Sequence, residues 1–289
     1  MERPFFRYLL PNQAPADQEL IYYPYWRFKG MLFSCLPSGT QHRFLDVSQQ
    51  AVQSPHFPAS VGLRSQAMKL RFVSPDSPGW FIKPILPFPQ VMQTVLTRIN
   101  RDMPRPILHQ AHIGESVSLV YAPFYTGRRI MDAVLNQPVR TSPGEPVDVS
   151  RWPGGPADGR IQFISTLCPN CGWDMQGSRD ALVLQCDNCT SMWKAAKDGM
   201  TRVNVAHMPA NSGGDVVYLP FWRIRAEVAG VPLATYTDLI NLANLPKAVK
   251  PEWNHRAFYF WGPAFKLRPR SFLRLTRQVT VIQPHDDLV

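Results

Sequence analysis

Ile21-Tyr22-Tyr23-Pro24-Tyr25-Trp26-Arg27-Phe28-Lys29-Gly30 is the stretch whose reading sets the fold class. Aromatic and β-branched side chains favour a pleated, packed surface, so the run reads as a β-strand. Its proline withholds one ladder donor, which predicts a place at a sheet edge or a bulge. Side chains alternate across a strand. Tyr22, Pro24, Trp26 and Phe28 therefore share one face, expected to be core. Tyr23, Tyr25, Arg27 and Lys29 share the other, expected to be an outer face of tyrosines and cations.

The pattern returns as Val217-Tyr218-Leu219-Pro220-Phe221-Trp222-Arg223-Ile224-Arg225-Ala226, with ten aligned positions matching in chemical type. Looser copies lie at Val120-Tyr121-Ala122-Pro123-Phe124-Tyr125 and at Phe260-Trp261-Gly262-Pro263-Ala264-Phe265-Lys266. An internal repeat outranks other fold signals. Before the second copy stands a helix candidate, Val91 to Asn100. Before the fourth stands another, Asp238 to Asn244, with Thr237 as N-cap. The expected fold is mainly β (α+β), with two diverged repeat halves at residues 1–135 and 209–289. Residues 136–160, dense in Pro and Gly, read as a linker. Residues 161–208 form a separate module between the halves.

That module is defined by Cys168-Pro-Asn-Cys171-Gly and Cys186-Asp-Asn-Cys189-Thr, two Cys-x-x-Cys pairs separated by fourteen residues. Each pair can grip one metal ion from one tight turn, and Gly172 permits the positive φ such a turn needs. Four thiolates at this spacing suit tetrahedral Zn²⁺. The Cys-Pro-x-Cys-Gly and Cys-x-x-Cys run resembles a zinc ribbon with rubredoxin-type knuckles, over about residues 160–208. The resemblance implies one structural zinc on Cys168, Cys171, Cys186 and Cys189, holding small β-hairpins together. It does not choose a function, because zinc ribbons serve nucleic-acid machines, assembly factors and scaffolds alike. The second knuckle departs from the family pattern in lacking Pro and Gly.

The chain has 289 residues, 29 prolines and a formal charge of +10. Abundant proline favours short strands and ordered loops. A zinc on four thiolates would lower the charge to about +8, a balance that favours acidic partners. No apolar run is long enough for a membrane helix or a signal peptide, and the expected location is cytoplasmic. Cys35, in an apolar run, reads as a small buried residue.

Catalytic patterns are poor. There is no Gly-x-Ser-x-Gly elbow, no phosphate-cradling glycine loop and no His-Glu-x-x-His. His109 and His112 read as loop residues. A metal held by four protein ligands has no open position for a substrate. Lys266, Arg268, Arg270 and Arg274 would share one face if that stretch is a strand, and Arg27, Lys29, Arg223 and Arg225 lie within motif copies. These eight residues form the candidate binding face. The resulting expectation is a non-catalytic zinc-binding scaffold or assembly protein with an acidic protein partner. The alternative is a nucleic-acid-binding protein using the same faces, since arginine beside exposed aromatics pairs with phosphates and stacks on bases.

Overall fold

A computed structural model of the chain describes residues 5–11, 18–127, 129–139, 148–157, 164–177, 181–196, 199–209 and 215–284. Two compact units divide it, Met1–Phe163 and Ile164–Val289.

The first unit contains β1 (Phe5–Leu9), β2 (Glu19–Leu36), β3 (Gly39–Gln50), α1 (Arg64–Ala67), β4 (Leu70–Phe72), β5 (Trp80–Ile82), α2 (Phe88–Ile99), β6 (His109–Thr126), β7 (Met131–Asp132), β8 (Gln137–Pro138) and β9 (Gly154–Gly155). Its mixed sheet runs β4-β1-β6-β2-β5-β9, with β3 also on β2 and β7 on β6. The two 18-residue strands, β2 and β6, pair antiparallel from Glu19↔Thr126 to Cys35↔His109. The first and second motif copies thus lie side by side, with Tyr22 opposite Pro123 and Pro24 opposite Tyr121.

Neither proline lies at an edge strand or bulge, which corrects the sequence expectation. Pro24 sits where the outer neighbour of β2 changes. β3 ends at Tyr25↔Gln50, and β5 begins at Tyr22↔Phe81. Pro123 occupies the matching seam on β6, between β1 at Tyr8↔Tyr121 and β7 at Phe124↔Asp132. At a seam no ladder partner needs the missing N–H, so a proline is tolerated inside a sheet. The carbonyls are still used: Ala51 N donates to Pro24 O at 2.9 Å and Ala133 N to Pro123 O at 3.1 Å.

The outer-face reading also fails for Tyr23 and Tyr25. Both are fully buried, as is Tyr22 on the opposite face. Tyr23 stacks on Phe57 at 4.1 Å and meets Trp152 edge-on, while Tyr22 stacks on Phe81 at 4.3 Å. The Tyr23 and Tyr25 hydroxyls donate to the carbonyls of Val52 and Pro58, which satisfies their polar ends. This part of the sheet is covered on both faces by segments distant in sequence. Further along, α2 packs Met92 against Phe28, Leu32 and Leu45. Cys35 is half-buried. His109 and His112 lie in β6, not in a loop. Three apart on a strand, they face opposite sides and cannot grip one ion together.

The expected linker is partly built into this sheet. β8 pairs with β7, β9 pairs with β5, and Trp152 joins the core. Residues 140–147 and 158–160 lie outside the described residues.

The second unit opens with a four-stranded antiparallel sheet of β10 (Met175–Gln176), β11 (Leu184–Cys186), β12 (Met192–Ala196) and β13 (Gly199–Val203), in chain order. After it come β14 (Phe221–Ile224), α3 (Tyr236–Leu242), β15 (Phe260–Pro263) and α4 (Pro269–Ile282). The N-cap of α3 is Thr235, two residues before the expected Thr237, because a capping box with Asp238 forms there. β14 and β15 bring the third and fourth motif copies together antiparallel, with Phe221 opposite Pro263. Ala264 N donates to Pro220 O at 2.9 Å. The likeness to β2 and β6 stops at the pairing. Pro24 faces the residue two before Pro123, whereas Pro220 faces the residue one after Pro263.

The condition that Lys266 to Arg274 form a strand is not met, because the helix α4 starts within that stretch. Pro269 takes its N1 position, where the missing N–H costs nothing. A spacing of four brings Phe272, Thr276 and Thr280 to the side facing β15, where the Thr280 hydroxyl accepts from Trp261 N at 3.0 Å. Arg270, Arg274 and Arg277 remain exposed.

Candidate functional site

The four predicted ligand cysteines converge. All four sulfurs lie within 4.8 Å of one another. Cys168 and Cys189 are 3.6 Å apart, and Cys171 and Cys186 are 3.4 Å apart. These separations exclude disulfides, in which the sulfurs sit about 2.05 Å apart. All four thiols are free, and the cluster can hold one metal ion.

Local backbone builds both knuckles. Gly172 takes φ +73°, and its N–H donates to Cys168 O at 2.8 Å. The equivalent position of the second knuckle is Thr190, which adopts the same left-handed conformation at φ +55°. A β-branched residue there carries strain of about 1–2 kcal/mol. The departure from glycine noted in the sequence therefore leaves the turn shape intact. The hairpins close a small core beneath the sulfurs, in which Met175, Leu184, Trp193 and Met200 surround Cys168 and Cys186.

Sequence reading missed Ser191. The Trp193 indole donates to its Oγ at 2.8 Å, leaving the hydroxyl proton to point at sulfur. Ser191 Oγ stands 2.9 Å from Cys189 Sγ and 3.4 Å from Cys168 Sγ. That hydroxyl, followed by the Asn170 side chain, holds Cys189 down to about 5. Burial opposes ionisation of Cys168, but the Ser191 hydroxyl and the Asn170 and Cys171 amides outweigh it and lower that thiol too. Burial instead pushes Cys186 up to about 11. A bound cation would offset that cost and draw out the proton. A hydroxyl two residues beyond the last cysteine was the available signal.

The eight predicted cationic residues divide between the two units. Arg27 and Lys29 belong to the first unit, and the other six to the second. Arg27 grips Asp46 bidentately, Nε at 2.8 Å and Nη2 at 2.7 Å, with both side chains largely buried. Lys29 lies 6.0 Å from the Phe44 ring centroid. With Arg7, Ser116 and Ser118 these two line a polar recess of about 240 Å³. In the second unit Arg223 is exposed, with its guanidinium 4.8 Å from the Tyr259 ring centroid, and Arg225 is exposed just beyond β14. Lys266 and Arg268 stand in the turn before α4, and Arg270 and Arg274 on the helix.

The second unit also carries a feature the sequence did not announce. α4 covers the face of the β14–β15 pair that carries Trp261 and Pro263, both buried. The opposite face is open. Trp222 is 38 % exposed and Ile224 49 %. A Cβ built at Gly262, paired with Trp222, would meet no atom within 4 Å. Upstream, Val217 is 83 % and Tyr218 55 % exposed.

Comparison with protein-family models, with curated proteins and with solved structures finds no match. Among the described residues no helix is long and apolar enough to cross a membrane.

Proposed function

We propose that this chain is a non-catalytic zinc-binding scaffold whose open β14–β15 face docks an acidic protein partner. The observation that carries the reading is the contrast between motif copies. The first two are packed on both faces, while the third and fourth leave Trp222, Ile224 and Gly262 bare on one face. A two-stranded sheet with one bare apolar face is marginal in water and gains from a cover. Charge selects the kind of cover. Arg223 and Arg225 alternate with Trp222 and Ile224 along the chain, and α4, over the other face, presents Arg270, Arg274 and Arg277, so the unit that carries the patch is basic. A surface with apolar side chains among carboxylates complements this pattern.

Zinc is the metal of this reading. A tetrahedron with Zn–S of about 2.3 Å has sulfurs about 3.8 Å apart, close to the observed separations. Cys168, Cys171, Cys186 and Cys189 would hold it, and its contribution would be structural, closing the hairpins. Four protein ligands leave no position for substrate.

The test places a photo-crosslinking residue at position 222, with position 113 as control, in native cells. The expected result is one dominant acidic protein captured from position 222 and lost when Ile224 is changed to Glu. Capture of nucleic acid alone, or identical capture from both positions, would overturn the reading. The exposed arginine face of α4 favours nucleic acid as a second reading. It requires affinity for an unstructured oligonucleotide to fall with salt by about −0.7 in log–log slope per phosphate contact.

A further inference from the structure

The third motif copy has an outer edge as well as an open face, and the ladder shows which residues make it. In an antiparallel pair, successive residues turn their backbone groups alternately toward the partner strand and away from it. Ala264 N donates to Pro220 O, and Phe221 pairs with Pro263. Pro220 and Trp222 therefore turn their backbone groups to β15, while Phe221 and Arg223 turn theirs outward. Among the described residues no strand lies along that outer edge, and neither Phe221 N nor Arg223 N has a hydrogen-bond partner.

The first motif copy shows what the same edge accepts when the chain supplies it. Ala51 N donates to Pro24 O, which puts the backbone groups of Pro24 and Trp26 on the β3 side of β2. Those of Tyr25 and Arg27 are left for β6, which pairs along that side from Glu19 to Cys35. In the repeat, Tyr25 aligns with Phe221 and Arg27 with Arg223. β15 thus lies on the side that β3 holds in the first unit, and the counterpart of β6 is what the third copy lacks among the described residues.

The edge is also open to solvent. Trp222, Arg223, Ile224 and Arg225 are all exposed. Val217, Tyr218 and Leu219, just upstream, are exposed too and have no strand partner among the described residues. An unpaired strand edge of this kind is a template for a strand from another chain.

We propose, resting on the docking reading above, that an extended segment of the acidic partner adds to the outer edge of β14 as a β-strand. In strand addition, main-chain hydrogen bonds supply affinity and alternate side chains supply specificity. Opposed side chains on neighbouring strands share a face. One set on the added strand extends the open surface beside Trp222 and Ile224, and is apolar. The other set stands beside Arg223 and Arg225, and carries carboxylates. The same charges disfavour a second copy of this chain as the occupant. Pairing two such edges would gather Arg223 and Arg225 of both copies along one short seam, and like charges so placed destabilise a sheet.

Fluorescence-anisotropy titration with the full, metal-loaded chain tests the pairing. The probe is a labelled peptide of alternating valine and glutamate, and the control is its valine–lysine counterpart. The acidic peptide should saturate one site, and the basic one should not bind. Phe221→Pro and Phe221→Ala lose the same ring, but only proline also loses the outward N–H. Proline is tolerated where that N–H faces solvent, so both variants should fold, as circular dichroism checks. Phe221→Pro should bind the acidic peptide about five- to tenfold more weakly than Phe221→Ala, the size of one main-chain hydrogen bond. If Phe221→Pro does not fold, Arg223→Pro and Arg223→Ala replace the pair. Residue-resolved hydrogen exchange adds a second readout: the Phe221 and Arg223 amides should exchange fast in the free chain and slowly with peptide bound. Peptide bound with both amides still fast, or equal affinities within the pair, would overturn strand addition while capture from position 222 still upholds the docking face. Failure of the acidic peptide to bind would overturn it as well. Slowing of the same amides on concentrating the chain alone would overturn it in favour of a second copy.

Discussion

Tyr22 to Lys29 and Tyr218 to Arg225 carry nearly the same residue types in opposite surroundings. In the first unit the motif is an interior strand. β6 lies along one side, β3 and β5 share the other, and aromatic side chains from distant segments close both faces. In the second unit the motif has β15 on one side and α4 over one face, while on the other Trp222 and Ile224 are exposed and a Cβ at Gly262 would meet no atom within 4 Å. The comparison teaches that a strand's sequence sets its propensity and alternation. How much of it is buried depends on which neighbours the rest of the chain supplies. Where those neighbours are missing, the same residues become a docking surface.

The largest expected effect sharpens the comparison by separating what supports each unit. The hairpins β10–β13 bury little beyond the cysteine cluster, whereas Tyr236, Ile240, Phe258 and Trp261 are buried apart from it, so the zinc reading makes the hairpins metal-dependent. Chelation, or Cys168→Ser, should remove folding free energy on the order of 10 kcal/mol from the hairpins. Calorimetry should show the transition of the hairpins lost and that of the first unit in place. Elemental analysis should find one zinc per chain, and folded, metal-free hairpins would break the assignment.

Next in size comes a matched pair of substitutions. Tyr22→Ala empties a fully buried aromatic site and should cost about 3–5 kcal/mol in denaturant unfolding. Tyr218→Ala, at the aligned position, leaves an exposed site whose ring contact is with His207. It should fall within about 0.5 kcal/mol of the parent. Equal costs would erase the contrast.

How much of this was legible follows from range. The metal cluster was readable because each Cys-x-x-Cys turn is local, and the β class because aromatic alternation is local. The seams that admit Pro24 and Pro123 were not, since they depend on where β3, β5, β1 and β7 stop. Burial of Tyr23 was equally hidden, because Phe57 and Trp152 arrive from 34 and 129 residues away. The start of α4 did carry a local signal. Pro269 suits a helix start, and a spacing of four runs through Phe272, Thr276 and Thr280.

The smallest expected effect compares the two knuckles with each other. Thr190 holds a left-handed conformation that Gly172 adopts without strain. Thr190→Gly should therefore stabilise the metal-loaded second unit, by up to about 1 kcal/mol, offset in part by added freedom of the unfolded chain. A loss of stability would show that the Thr190 hydroxyl, which donates to Cys189 O at 2.8 Å, outweighs the strain.

The contrast between the motif copies is tested most directly by hydroxyl-radical footprinting of the isolated chain, read by mass spectrometry. Tyr218 and Trp222 should label rapidly, and Tyr22, Tyr23 and Tyr25 should stay protected until the first unit unfolds. Comparable protection of Trp222 and Tyr23 in the folded, partner-free chain would contradict the open face, and with it the docking surface on which the proposed function rests.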